Sequence, residues 1–138
     1  MARSCLFLLV ISLFGACGVS KPTAQSVPAG KLTYELVAKP VFKKFHAVYL
    51  DARKQAHTVN EASEKAVQYD IGAVPDGFVA SMSATGYEAA DSSAYIIISI
   101  LMHGMNADTG MTLVARDTAI GPNPSLTVSY VVSRESPK

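Results

Sequence analysis

"GFVASMSATG", residues 77–86, alternates almost without a break. Phe78, Ala80, Met82 and Ala84 fall on one side, with Ser81, Ser83 and Thr85 among those on the other. Successive side chains of an extended chain point to opposite faces, so this stretch reads as a strand with one face in a core and one in water. Working outward, the same period returns in "LTYELVA" (32–38), where Leu32, Tyr34 and Leu36 oppose Thr33 and Glu35. It returns again in "SLTVSYVVS" (125–133), with Leu126, Val128, Tyr130 and Val132 against Thr127 and Ser129.

Between these lie further strand-like runs. "FHAVYLDARKQAHTV" (45–59) reads as a hairpin about a polar tip at 51–54. "KAVQYDIGAVPDGF" (65–78) gives a strand over 66–71 and then a turn at Pro75, Asp76 and Gly77. "MTLVARDTAIGPNPS" (111–125) ends a strand in Gly121-Pro122-Asn123-Pro124. Only "NEASEKAVQ" (60–68) invites a helical turn, with Asn60 as its cap, and it lacks an apolar stripe. Seven to eight short strands separated by turns predict an all-β fold. The architecture expected is a single antiparallel β-sandwich, Ig-like, over residues 31–138.

One strand departs from the pattern. "AYIIISILMH" (94–103) puts Tyr95, Ile97 and Leu101 on one side and Ile96, Ile98, Ile100 and Met102 on the other, so both sides are apolar. Two readings stand. Either a loop such as "HGMNADTGM" covers the outer face of a central strand, or one side is a surface that docks a partner or ligand. The surface expected in the second reading is Ile96, Ile98, Ile100 and Met102.

The amino terminus, "MARSCLFLLVISLFGA" (1–16), has a basic start at Arg3, an apolar run over 5–14 and the small residues Gly15 and Ala16. That is the order of a secretory signal peptide, and the run is shorter than the ~20 residues that span a bilayer. Cys17 follows the two small residues. The arrangement resembles a bacterial lipobox, in which the cysteine thiol is acylated, the peptide is cut before it and the new amino terminus is acylated too. Cleavage after Gly18 is the alternative. Loss of Cys5 with the signal leaves Cys17 as the one cysteine of the mature chain, so no internal disulfide can form and an odd thiol in an exported protein needs a role. Lipidation supplies one. Gly18, rather than Asp, after the cysteine implies an outer-membrane or surface address by the same resemblance.

"GVSKPTAQSVPAG" (18–30) is small, polar and proline-containing, and reads as a tether. It completes a segment, 17–30, that spans at most roughly 45 Å beyond the cysteine. The twelve Lys and Arg become eleven when Arg3 leaves, equal to the eleven Asp and Glu. That balance gives no argument for nucleic acid or for an electrostatically held membrane surface. The membrane contact expected is the covalent lipid, and the partner expected is another envelope protein.

Candidate chemistry is thin. His46 and His57 flank the hairpin tip and would share a face if the loop held an even number of residues, yet two histidines fall short of a metal site. "NADTG" (106–110) opens like a calcium loop but has Met111 where glycine is needed. Asp70, Asp76, Asp91 and Asp108 sit in separate turns, and His103 ends the apolar strand. Neither a Gly-x-Ser-x-Gly elbow nor a Cys-x-x-Cys, a His-Glu-x-x-His or a glycine-rich phosphate loop occurs. The expectation is a non-enzyme without a cofactor.

The order "LTYELVA", "HAVYLDARKQAHTV", "GFVASMSATG", "SAYIIISILMHG" and "GPNPSLTVSYVV" resembles the extracytoplasmic domain of the MmpS-like family over most of residues 32–132. The positions that carry the likeness are Tyr34, Tyr49 to Asp51, Gly104 and Gly121. That resemblance implies a small β-sandwich accompanying a lipid or siderophore exporter. It also marks differences: the chain has no tryptophan, a longer segment after the apolar strand, and an acylation signal where the family has a membrane helix. The functional expectation is therefore a lipid-anchored envelope module that binds without catalysis, accessory to export or assembly. A carrier of a small apolar ligand or lipid, seated between the sheets, is the alternative.

Overall fold

A computed structural model describes residues 28–39, 42–60, 66–104 and 110–134. Eight strands follow one another: β1 (Pro28–Lys39), β2 (Phe42–Leu50), β3 (Ala56–Val59), β4 (Val67–Pro75), β5 (Val79–Ala89), β6 (Tyr95–His103), β7 (Met111–Ile120) and β8 (Ser125–Val131). They form two antiparallel four-stranded sheets, β4-β1-β6-β7 and β3-β2-β5-β8, packed face to face. The expected β-sandwich is therefore present, and no described residue is helical. The helical turn expected near 60–68 falls mostly on 61–65, outside the described residues, while Val67 and Gln68 open β4. Pro28, Ala29 and Gly30, read as tether, belong to β1.

The two strand orders are one order. Joined in chain sequence, β1 with β2, β3 with β4, β5 with β6 and β7 with β8 make four long strands that each cross both layers, side by side in the same arrangement in each. The sandwich is a single four-stranded sheet folded over on itself. Its likeness to an immunoglobulin domain lies in two packed antiparallel layers; the strand order is different from that domain's. The fold gives the molecule a corner end, where the long strands bend between layers, and an open end, where β1 begins and where the β2–β3 and β6–β7 connections and the turn at 75–78 lie.

The alternation decides the core. Leu32, Tyr34 and Leu36 of β1 and Ile96, Ile98 and Ile100 of β6 meet Phe45 and Ala47 of β2 and Ala80, Met82 and Ala84 of β5, all buried. Each large apolar side chain so enclosed is worth about 1.5–3 kcal/mol.

The bends are fixed by backbone. Gly86 N–H donates to the Pro124 carbonyl at 3.0 Å, Ala89 N–H to Pro122 at 3.1 Å, and Gly121 N–H to Ala94 at 2.8 Å. Phe42 lies directly over Gly86, where a Cβ would sit 2.5 Å from the ring. That position requires glycine because an aromatic ring fills the missing side chain's space.

Candidate functional site

The open end concentrates the polar and aromatic chemistry. Tyr34, fully buried on β1, reaches across the core and donates its hydroxyl to the Leu50 carbonyl at 3.2 Å, while accepting from Ser81 N–H at 3.0 Å. The β2–β5 ladder runs to Tyr49 opposite Met82, so the hydroxyl stands where the next rung, Leu50 with Ser81, would form. One phenol thus wedges the second sheet apart and satisfies both freed backbone groups. Burial pushes its pKa from 10.0 up to about 12, against the lowering effect of the Ser81 bond.

Beside it stands an aromatic stack. Tyr49 lies 5.7 Å from Tyr34, stacks on Tyr69 of the first sheet at 4.8 Å and on His57 of β3 at 5.3 Å. These rings bridge the layers along the β3 and β4 edge. His57 Nε2 is 2.9 Å from Asp51 Oδ2, and Asp51 Oδ1 accepts the N–H groups of Arg53 and Gln55 at 2.9 and 2.8 Å. The His57 bond first, and then the backbone donors, hold the Asp51 carboxyl below its usual range. Burial raises the Tyr69 phenol.

The histidines do not meet. Leu50 pairs with Ala56 and Tyr49 with His57, so the hairpin loop is 51–55, an odd number of residues. His57 therefore shares the inner side with Tyr49, and His46 is turned outward, 3.2 Å from Asn60 Oδ1. The acids expected in separate turns each hold a local or backbone partner: Asp70, within β4, accepts from Gly72 N–H, Asp76 from Arg134 N–H of the carboxy-terminal segment, and Asp91 from Ser93 in its bend. Asp108 and most of the calcium-like stretch lie outside the described residues, and so does Cys17. Among the described residues no three His, Cys, Asp or Glu side chains gather into a metal-binding group.

The apolar strand β6 is central, between β1 and β7. Ile96, Ile98 and Ile100, expected as a partner or ligand surface, are 0% exposed and belong to the core; Met102 is partly buried against it. Their burial has a simple cause. β6 has a neighbouring strand on each side and a second sheet beneath, so its better apolar face turns inward. The side turned outward carries Tyr95, Ile97 and Leu101, half-buried, with Ser99 buried between Glu35 and Arg116 on the adjacent strands.

Two surface depressions mark the two ends. One, of about 510 Å³, is lined by Lys44, Tyr87, Glu88 and Asn123 near the bends. The other, of about 440 Å³, lies at the open end on the outer face of the first sheet, lined by Lys31, Thr33, Gln68, Asp70, His103 and Met111. Sequence reading singled out His103 and Asp70 separately, and strand pairing brings both to the lining of this second depression. No family model matches the chain, and neither does any curated protein or solved structure.

Proposed function

We propose that the chain is a lipid-anchored β-sandwich of the cell envelope. It is tethered through Cys17 and works by non-catalytic contact with another envelope protein, as an accessory to export or assembly. The observation that carries this reading is the order at the amino terminus: a short apolar run, two small residues, a single mature-chain cysteine, and a polar proline-containing tether leading into a domain. The accessory role draws on the strand-order resemblance to MmpS-like domains. The fold accords with such a role, since β1 takes up the tether at one end and the sheets beyond it enclose a filled core.

The test is intact-mass analysis of the native protein together with a Cys17→Ser variant. Expected are a chain that starts at Cys17 with acyl mass, and a variant that remains folded but leaves the membrane fraction and loses function. An unmodified amino terminus, or full function from the unanchored variant, overturns the proposal.

A further inference from the structure

We infer that the depression on the outer face of the first sheet binds a small zwitterion, a free amino acid or a dipeptide, whose carboxylate meets Lys31 and His103 and whose ammonium meets Asp70. This goes beyond the anchored reading and does not depend on it. The floor of the depression is Thr33, which alternation along β1 turns away from the core side taken by Leu32 and Tyr34. Thr33 is only 5% exposed, and its hydroxyl makes no hydrogen bond among the described residues. No fully enclosed side-chain oxygen or nitrogen among those residues lacks a partner, so this hydroxyl opens into the depression it lines. A largely desolvated hydroxyl without a partner costs stability, and a ligand that bonds to it recovers that loss.

Two strand irregularities shape the rim. The β1–β4 register shifts between Leu32, opposite Gly72, and Thr33, opposite Asp70. Carried on unbroken from the open end, the register would set Ile71 opposite Thr33; the extra residue places a carboxylate there instead, and bulges beside functional sites often re-aim a side chain in this way. Gly72, at φ 79°, accommodates the bulge, and its N–H holds Asp70 Oδ1 at 3.0 Å, which leaves Oδ2 to face a ligand. A second shift, between Ile100 and Leu101, sets Met111 opposite His103, which has Lys31 on its other side. Charge then selects the ligand. Lys31 and Asp70 line one depression without pairing, since the ion pairs among the described residues are Lys43 with Glu88 and His57 with Asp51. An anion alone would meet Asp70, with Glu35 one rung along; a cation alone would meet Lys31. A molecule bearing both signs satisfies both, with hydrogen bonds from Thr33 and Gln68 and an apolar flank from Met111.

The test is a titration of the isotopically labelled full chain with L-leucine and with L-alanyl-L-leucine, followed by amide chemical shifts. Saturable shifts at Thr33, Asp70 and His103 are expected at millimolar ligand, and the tighter probe identifies the length of molecule preferred. N-acetyl-L-leucine and L-leucinamide, each lacking one charge, should bind about tenfold more weakly. Asp70→Asn should remove the discrimination against the acetylated compound, and Lys31→Met that against the amide; a merely structural role would not divide the two losses in this way. Thr33→Val keeps the shape, removes the hydroxyl and should weaken both probes about fivefold. The inference is overturned by the absence of saturable shifts with either probe, by shifts centred elsewhere, by a blocked compound binding as well as its parent, or by unchanged binding in Thr33→Val. Intact mass reports on the anchor separately, so failure of one reading leaves the other standing.

Discussion

At the corner end, turns are set by glycine, proline-flanked carbonyls and main-chain hydrogen bonds, with Phe42 laid over Gly86. At the open end the layers are joined by side chains: a phenol inserted into a ladder, a stack of rings, and a carboxylate folded into its own loop. The first solution rests chiefly on main-chain bonds and, at Gly86, leaves no space for added atoms. The second rests on side chains, and its buried phenol titrates. The molecule thus joins its layers by backbone at one end and by aromatic and polar side chains at the other.

The largest effect should come from breaking the corner end. Gly86→Val forces two methyl groups into the Phe42 ring, and destabilisation of about 3 kcal/mol or more is expected by urea unfolding, at the upper end for overpacking. Tyr34→Phe tests the open end. It leaves the Leu50 carbonyl and Ser81 N–H to re-form their rung or go unpaired, costing about 1–3 kcal/mol. A loss as large as that of Gly86→Val would mean that the two ends are not held differently.

Alkali sharpens the contrast. The Tyr34 pKa is higher in the folded chain, at about 12, than the ordinary 10.0. Its contribution is therefore complete below pH 10 and is lost as pH rises toward 12, by up to roughly 3 kcal/mol. Tyr69, shifted in the same direction, adds to the same loss. Stability measured from pH 9 to 12 should fall less steeply in Tyr34→Phe than in the parent; parallel curves would remove Tyr34 as the cause. On the acid side the sign reverses. The folded Asp51 pKa is depressed, so its contribution is present above the ordinary 3.8 and disappears as pH falls through the folded value. Asp51→Asn should flatten that limb slightly. Smallest of all is Lys43→Ala, which removes the 2.6 Å pair with Glu88 near the bends; both partners are more than half exposed, and a change within ~0.5 kcal/mol is expected by thermal unfolding.

Alternation in 77–86, 32–38 and 125–133 was enough to read a sandwich, because period two reports which residues share a face. It does not report which strands are neighbours. That Tyr34 lies on the core side was legible, but its hydroxyl bonds residues 16 and 47 positions away, and nothing local encodes those partners. The histidine pair failed on parity alone: a five-residue loop turns His46 and His57 to opposite sides. For 94–103 the doubled apolar pattern correctly marked an unusual strand, while the choice of inner face needed the second sheet. The extra length of β4 beyond residue 71 was hidden by Gly72, whose φ of 79° marks the irregularity through which pairing continues to Pro75.

The folded-sheet arrangement also dictates an order of events in time. β1 is synthesised first, yet it is flanked by β4 and β6, and β2 needs β5 in the same way. The amino-terminal half therefore waits with unsatisfied edges until residue 103 has emerged, a non-local closure of the kind that slows folding and exposes a chain to misassociation. A vectorially delivered copy would need protection over that interval, and truncations ending before β6 should be degraded rather than accumulate as half-barriers of a single layer.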